Sequence, residues 1–368
     1  MIIVYVYSKD VAPSGYYRVS QYLKERDDVI THSLVPGKLY KWWHLRTKFQ
    51  RLLLSPILFG IISLRVLYFL LIDTFLYTKD GGCVIIVSKF IMPHYLPKMH
   101  ALLLKRLAQH NTVIWDFDDN IVATNSISKR EFNLLSEYSK KIIVISDFLK
   151  SLIAPEYHNK VSLLPTTDGD DCDYDVDAVT NKRVELLATT LRIVWVATGV
   201  NLPFLEKIVP QLEQCAHILK TKYDKRLELC VICNKPLVHE TDYLLIVNKQ
   251  WSREVAQNGM FESHIGIMPL IDSEVTRGKG GFKLVQYLSK GLPIIGSNVG
   301  FNKEVVSPEC GFLVDNTNED LWIQSILAIA SSVEVYVHMS NAAKNRYDNK
   351  FSFSSNLRFW EQLIDTNN

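Results

Sequence analysis

Three features are scarce in this chain of 368 residues, and each scarcity removes a class of protein. Cysteine is sparse: Cys83, Cys172, Cys215, Cys230, Cys233 and Cys310 lack the paired spacing of a disulfide framework. Cys230 and Cys233 form a C-x-x-C within LELCVICNKP, but no second cysteine or histidine pair completes a zinc site. The stretch reads as a buried strand, so inert core thiols in a reducing cytoplasm are expected. Excess charge is also absent, at a net +2, which gives no ground for nucleic acid or another polyanion as partner. Finally, no G-K-[ST] occurs, which argues against a P-loop kinase or ATPase. The opening MIIVYVYS is uncharged and too short for a secretory core, and it reads as a first strand.

What is present is ordinary globular material, 48% hydrophobic and 22% charged, long enough for two domains with separate cores. Short β-branched runs recur between helical stretches: 2–8, 83–89, 112–117, 141–146 and 161–165. The pattern restarts at 191–197, 227–233, 264–270, 292–297 and 311–315. Helices are expected near 19–25, 128–138, 147–153, 203–223, 284–290 and 320–331, with Asp147 as an N-cap. Such alternation predicts α/β architecture: two Rossmann-like, doubly wound parallel-sheet domains facing one cleft. The expected boundaries are 1–178, 179–350 and a terminal helix over 351–368. Between the domains lies TTDGDDCDYDVDAVTNKR, with six aspartates from Asp168 to Asp177. Its oxygen spacing does not match a calcium loop, and a solvated linker is expected.

The stretch RGKGGFKLVQYLSKGLPIIGS, from 277 to 297, carries the chemistry. Gly278, Gly280 and Gly281 leave backbone N–H groups approachable, and a helix starting near Phe282 aims its dipole at whatever sits there. Lys279 and Lys283, four apart, flank that position. The residues alone allow either a phosphate cradle or a tight structural turn.

This stretch resembles the donor motif of GT-B glycosyltransferases, especially family 4, through QYLSKGLPIIGS and the following NVGFNKEVVSPECGFLV. APSGYYRVSQYL, WDFDDNI, IVISDFL, VSLLPT, LRIVWVATGVNLPFLEKIVPQL and FSFSSNLRFWEQLI resemble other parts of the family in the same order, across nearly the whole chain. The resemblance implies a GT-B fold, with the last helix crossing back to the first domain. It also implies sugar transfer, with retention, from a UDP-, GDP- or dTDP-linked donor to a glycan or lipid-linked glycan in surface polysaccharide synthesis. The family's two donor-site glutamates fall on Gly278 and Gln286; an amide at Gln286 can still serve the ribose hydroxyls. A family variant with two lysines in this loop matches Lys279 and Lys283. The usual basic pair after the second domain's first strand is missing, with Lys207 only further on. Gly15 and Arg18, in SGYYR, are implied to face the donor phosphates, and Glu304 stands where the family has a loop glutamate; it also fits a helix cap. Because Gly278 lacks a carboxylate, an inactive nucleotide- or glycan-binding protein is the alternative.

Transfer needs a stabilised leaving diphosphate and an oriented acceptor hydroxyl. Lysines and helix N-termini meet the first need without a metal, so none is expected. Asp116, Asp118 and Asp119, at the end of a strand, are candidates for the second, while Asp116 equally fits a loop brace. DFD also matches the D-x-D metal signature of GT-A enzymes, which the repeated α/β pattern argues against. His94, in KFIMPHYLP, is a further cleft candidate that is more often structural.

Segment 38–71 holds Lys38, Lys41, Arg46, Lys48, Arg51 and Arg65 with no acidic residue before Asp73, beside Trp42, Trp43 and a long apolar run. Pro56 and Arg65 are expected to interrupt a spanning helix. An interfacial segment making peripheral membrane contact is expected, against a core helix with a solvated basic edge. A cytoplasmic protein at the inner membrane face would follow.

Overall fold

The computed structural model describes residues 1–9, 13–78, 82–170, 173–315, 317–318 and 320–366. The readings that involve Asp10, Val11 and Ala12 of the first turn, and Asp171 and Cys172 of the acidic stretch, lie outside these residues. The chain divides into two compact units, Met1–Thr166 with Ser354–Asn368, and Thr167–Phe353.

The first unit holds β1 (Ile2–Val6), β2 (Val29–Ser33), β3 (Val84–Ser88), β4 (Thr112–Phe117), β5 (Lys141–Val144) and β6 (Val161–Leu163). They form one parallel sheet ordered β2-β1-β3-β4-β5-β6. All five residues of β1 and of β3 are buried, because helices cover both faces of such a sheet. That is why these strands read as continuous apolar runs rather than alternating ones. The final helix, Phe353–Asp365, belongs mainly to this unit: Trp360 is buried and stacks on Tyr22 at 6.3 Å. Asn356 Nδ2 donates to the Pro165 carbonyl at 2.8 Å, tying the helix to the end of the sheet.

The second unit holds β7 (Thr190–Val196), β8 (Arg226–Cys233), β9 (Leu245–Gln250), β10 (Ile265–Met268), β11 (Ile294–Ser297) and β12 (Gly311–Val314). Their order is β12-β11-β10-β7-β8-β9, again all parallel. The chain builds outward from β7 to β9, then returns to β7's other side with β10. A crevice therefore opens between the loops leaving β7 and β10, the usual ligand position in such sheets. The described cysteines are all buried, Cys230 and Cys233 among them on β8. Burial pushes the Cys215 thiol up to about 12 and raises Cys230 as well.

Three local expectations need correction. Asp147 does not cap its helix; the Ser146 hydroxyl does, accepting from Leu149 N at 3.3 Å. The acidic stretch is not wholly solvated, since Thr167 and Asp168 are fully buried. The Asp168 carbonyl accepts from the Tyr347 hydroxyl at 2.6 Å, and its carboxylate from three donors considered below. All of these bonds lie within the second unit.

The third correction concerns Pro56. The helix Lys48–Tyr77 runs unbroken through it for 30 residues. Proline cannot donate to the carbonyl four residues back, Leu52, and its absent N–H ordinarily kinks a helix. Here the Ser55 hydroxyl donates to that carbonyl at 2.9 Å and replaces the lost bond. Thr47 and Gln50 close a capping box at the start. Leu58, Ile62, Val66 and Leu70, at four-residue spacing, bury one face of this helix in the first unit's core.

Candidate functional site

In the second unit, the loop after β10 leads through a short helix, Glu274–Arg277, to Gly278, Lys279, Gly280 and Gly281. Gly281 has φ +60 and begins the helix Phe282–Ser289 without a capping side chain. Gly281 brings no side chain of its own to accept from the first turn of that helix. Gly278, by contrast, has φ −81 and merely ends the preceding helix. Gly300, at φ +54, lies so close to the Arg277 carbonyl that a Cβ would sit 2.6 Å from its oxygen. The NVGF turn is thereby pressed against the donor-like loop, and only glycine permits it.

Lys279 reaches across the crevice. Its Nζ donates to Asn201 Oδ1 at 2.8 Å, and Asn201 lies on the loop after β7. One bond therefore joins the two loops that flank the switch point. Asn201 is steadied by its own Nδ2, which donates to Thr198 Oγ1 at 3.1 Å. Lys207 stands exposed at the other end of the helix Leu202–Glu206 and takes no part in the crevice bond.

Lys283 is half-buried on the first turn of its helix, and Nζ donates to Gln286 Oε1 at 2.9 Å. Burial pushes this ammonium group down to about 8, with the Asp168 charge opposing the shift. Gln286 is itself buried, and its Nε2 donates to Asp168 Oδ2 at 2.6 Å. Asp168 accepts further from Gln257 Nε2 at 3.2 Å and from Asp170 N at 2.9 Å. In this arrangement the Gln286 amide, for which family resemblance implies a ribose contact, points inward and relays Asp168 to Lys283. Asn302 is buried nearby; Nδ2 donates to Ser297 O at 3.0 Å, and Oδ1 has no partner among the described residues. Glu304 is exposed on the turn Asn302–Val305, its carbonyl taken by Arg346 Nη2 at 2.7 Å.

The first unit presents a different arrangement at its strand ends. Gly15 is buried in the helix Pro13–Arg18, and a Cβ there would meet Val6 at an ordinary 3.5 Å. Arg18, for which family resemblance implies a place against donor phosphates, is 1% exposed here. Its Nε donates to Asp116 Oδ1 at 3.1 Å, and Nη1 donates to the Leu164 carbonyl at 2.6 Å and to Thr166 Oγ1 at 3.3 Å. The guanidinium is consumed by the protein. Burial works against its charge, and the Asp116 carboxylate outweighs that and holds it above its ordinary value. Asp116, completely buried at the end of β4, braces Arg18 through this pair.

Asp118 and Asp119 share one cation that sequence reasoning missed. Lys89, on the loop after β3, places Nζ 3.0 Å from Asp118 Oδ1 and 2.5 Å from Asp119 Oδ2. Despite burial, the two carboxylates raise the Lys89 ammonium above its ordinary range. Lys89 has φ +67, and His94 and Asn125 are also left-handed, at +65 and +51. Three of the four such non-glycine residues among those described thus fall in the loops after β3 and β4. Strain of this kind persists only where surroundings impose it. His94 Nδ1 lies 2.6 Å from the Asn125 carbonyl, and its backbone N donates to Ser126 O at 3.0 Å. His94 therefore fastens one loop to the other, which is a structural task.

Glu131 completes the fastening. It is wholly buried and accepts from the backbone N–H groups of Ile91 and Met92. Burial raises its carboxyl to about 8, against the two N–H bonds that lower it. The folded state then binds a proton that the unfolded chain releases near its ordinary 4.5. Stability is fully present below that value and is lost as pH rises toward 8, on the order of a few kcal/mol. Glu131→Gln keeps the acceptor oxygen and removes the titration. Urea denaturation across pH 5 to 8 should show a falling midpoint for the natural chain and a flat one for the variant. Parallel profiles would exclude this assignment.

Among the described residues, no group of three or more His, Cys, Asp or Glu side chains is arranged to hold a metal ion. No family model matches the sequence, and no curated protein does. Solved structures do match. HepE from Anabaena, in complex with UDP, aligns over 100% of both chains with a TM-score of 0.65 at 11% identity. A glycosyltransferase from Rickettsia africae ESF-5 gives 0.67 at 15% identity, over 100% of this chain and 98% of that one. Sucrose-phosphate synthase from Thermosynechococcus elongatus gives 0.59 at 12%, over 99% and 98%. Likeness at these identities establishes the fold, two Rossmann-like units of the GT-B type.

Proposed function

We propose that the chain is a glycosyltransferase that takes a sugar from a nucleotide-sugar donor and passes it, with retention, to a glycan or lipid-linked glycan. The observation that carries this is the crevice of the second unit. Lys279 bridges its two walls, and Lys283 stands on the first turn of a helix that begins at a glycine, Gly281. A diphosphate in that crevice would displace Asn201 and Gln286 as the lysines' partners and gain two charge-assisted bonds. The helix N–H groups would add to them. Charge developing on the departing diphosphate is what such donors stabilise, so no metal is required in this proposal. UDP and UDP-glucose occupy the solved complexes of HepE, which makes uridine the first base to try.

On the acceptor side, Asp118 and Asp119 are the carboxylates proposed to orient the hydroxyl, with Lys89 fixing their position. The acceptor is proposed to belong to surface polysaccharide synthesis at the cytoplasmic face of a membrane. A non-catalytic binding protein is the second reading, favoured by the loss of a carboxylate at Gly278 and by the withdrawal of Arg18.

Turnover separates the two. The full chain is incubated with UDP-, GDP- and dTDP-sugars, membrane lipid extract and EDTA, and release of nucleoside diphosphate is followed. Release from one donor, undiminished by EDTA, is expected. Tight nucleotide binding with no release under any acceptor would leave the binding reading, and restoration only by added divalent metal would overturn metal independence.

A further inference from the structure

The helix Lys48–Tyr77 has a second face that the fold leaves uncovered. Opposite its buried stripe lie Leu53, Ile57, Leu64, Tyr68, Leu71 and Phe75, between 50% and 73% exposed. From Phe49 to Phe75 this apolar stripe extends about 39 Å at 1.5 Å per residue. An exposed apolar surface of that length on one element is unusual for a solvated face. Only 22% of an 18-residue apolar stretch of the helix is buried, so most of its outer face is not covered by the core.

Charge identifies what this face meets. No acidic residue occurs from position 29 to position 72, whereas the sequence places Lys38, Lys41, Arg46, Lys48 and Arg51 just before and at the start of the helix. Trp42 lies among them, 38% exposed, with the Arg46 guanidinium over its ring at 4.5 Å. A second copy of the same surface would bring two basic clusters together. A bilayer with anionic headgroups offers opposite charge to the basic end and hydrocarbon to the stripe.

The helix does not have the freedom to span. Its other face is packed into the first unit's core, where Asp73 receives the Tyr5 hydroxyl and lies 3.0 Å from His32 Nε2. Arg65 Nη2 donates to the Ser33 carbonyl at 3.2 Å. Lipid on all sides would break each of these.

We propose that the outer face of Lys48–Tyr77 docks in the plane of an anionic phospholipid bilayer, seated on its apolar stripe and drawn by the basic cluster before it. This deepens the proposed membrane location by naming the surface and the lipid class, and it rests on that part of the proposed function. It is independent of the donor crevice.

The test is co-sedimentation of the full chain with vesicles of phosphatidylcholine alone or with about a third phosphatidylglycerol. Binding should be strong only with the anionic lipid and should weaken with salt. Lys41→Ala with Arg46→Ala should lower the partition about twenty-five-fold, at roughly fivefold per residue. Ile57→Glu with Leu64→Glu should abolish it, and because both side chains are exposed the melting temperature should hold. UDP binding measured on the same samples keeps the two proposals apart, since its loss condemns the donor site alone. Equal binding to both vesicle types, or no effect of the glutamates, overturns the proposal. Self-association that those glutamates abolish, without vesicle binding, also overturns it and makes the stripe an interface between copies.

Discussion

Lys279→Ala combined with Lys283→Ala is expected to reduce nucleoside diphosphate affinity by about a hundredfold or more while leaving the fold intact. Each hydrogen bond to a charged group contributes roughly 1.5–3 kcal/mol, and tenfold corresponds to about 1.4 kcal/mol. Neighbouring residues do not combine additively, so the pair is given a lower bound rather than a sum. Neither lysine is needed for folding. The Lys279 partner, Asn201, keeps its bond to Thr198, and the Lys283 partner, Gln286, stays held by Asp168. Calorimetry with UDP, GDP and dTDP reads the loss, and thermal melting of the same variants checks the fold. Affinity within threefold of the natural chain would show that the crevice is not the diphosphate site.

Arg18→Met should do the opposite, costing stability rather than ligand. It leaves the Asp116 carboxylate fully buried without its cation, and breaking such a pair from one side costs about 3–5 kcal/mol. It also strips the Leu164 carbonyl and Thr166 hydroxyl of their donor. The melting temperature should fall by many degrees, or the chain should fail to accumulate. Arg18→Met with Asp116→Leu should recover part of the loss, because two apolar side chains leave no orphan charge. If Arg18→Met folded normally and lost only nucleotide binding, the arginine would return to the donor site that family resemblance implies.

The buried architecture was legible in the sequence, and the reasons are physical. Strands such as VIIVS and TVIWDF are covered on both faces and leave a continuous apolar run. The edge strands Val29–Ser33 and Leu245–Gln250 carry no fully buried residue and gave no such run, so they passed unread. The helix Lys98–His110 was missed as well, its apolar residues interleaved with lysine, arginine and histidine. At the donor loop, the glycines and lysines announced themselves, but the relay behind them did not. Asp168 sits in an aspartate-rich stretch that resembles a solvated linker, and nothing local marks which aspartate turns inward. Asn201 had a weak signal, as a polar residue on the loop after the second unit's first strand. Arg18 and Asp116 are 98 residues apart, and only the fold reveals that they neutralise each other. Lys89 was hidden likewise, since its partners lie about 30 residues on.

The central claim, that Lys283 is a charge poised for a diphosphate, is tested by one titration. Held down to about 8 in the free protein, the ammonium is partly deprotonated at pH 8 and must regain its proton to pair with phosphate. Calorimetric binding of UDP at pH 8, in two buffers of different ionisation enthalpy, should therefore show net proton uptake. Affinity should fall above pH 8, by up to about tenfold per unit. Lys283→Arg, charged throughout this range, should bind with less uptake and a flatter pH profile. Tight UDP binding with identical heats in both buffers, unchanged by Lys283→Arg, would contradict the claim.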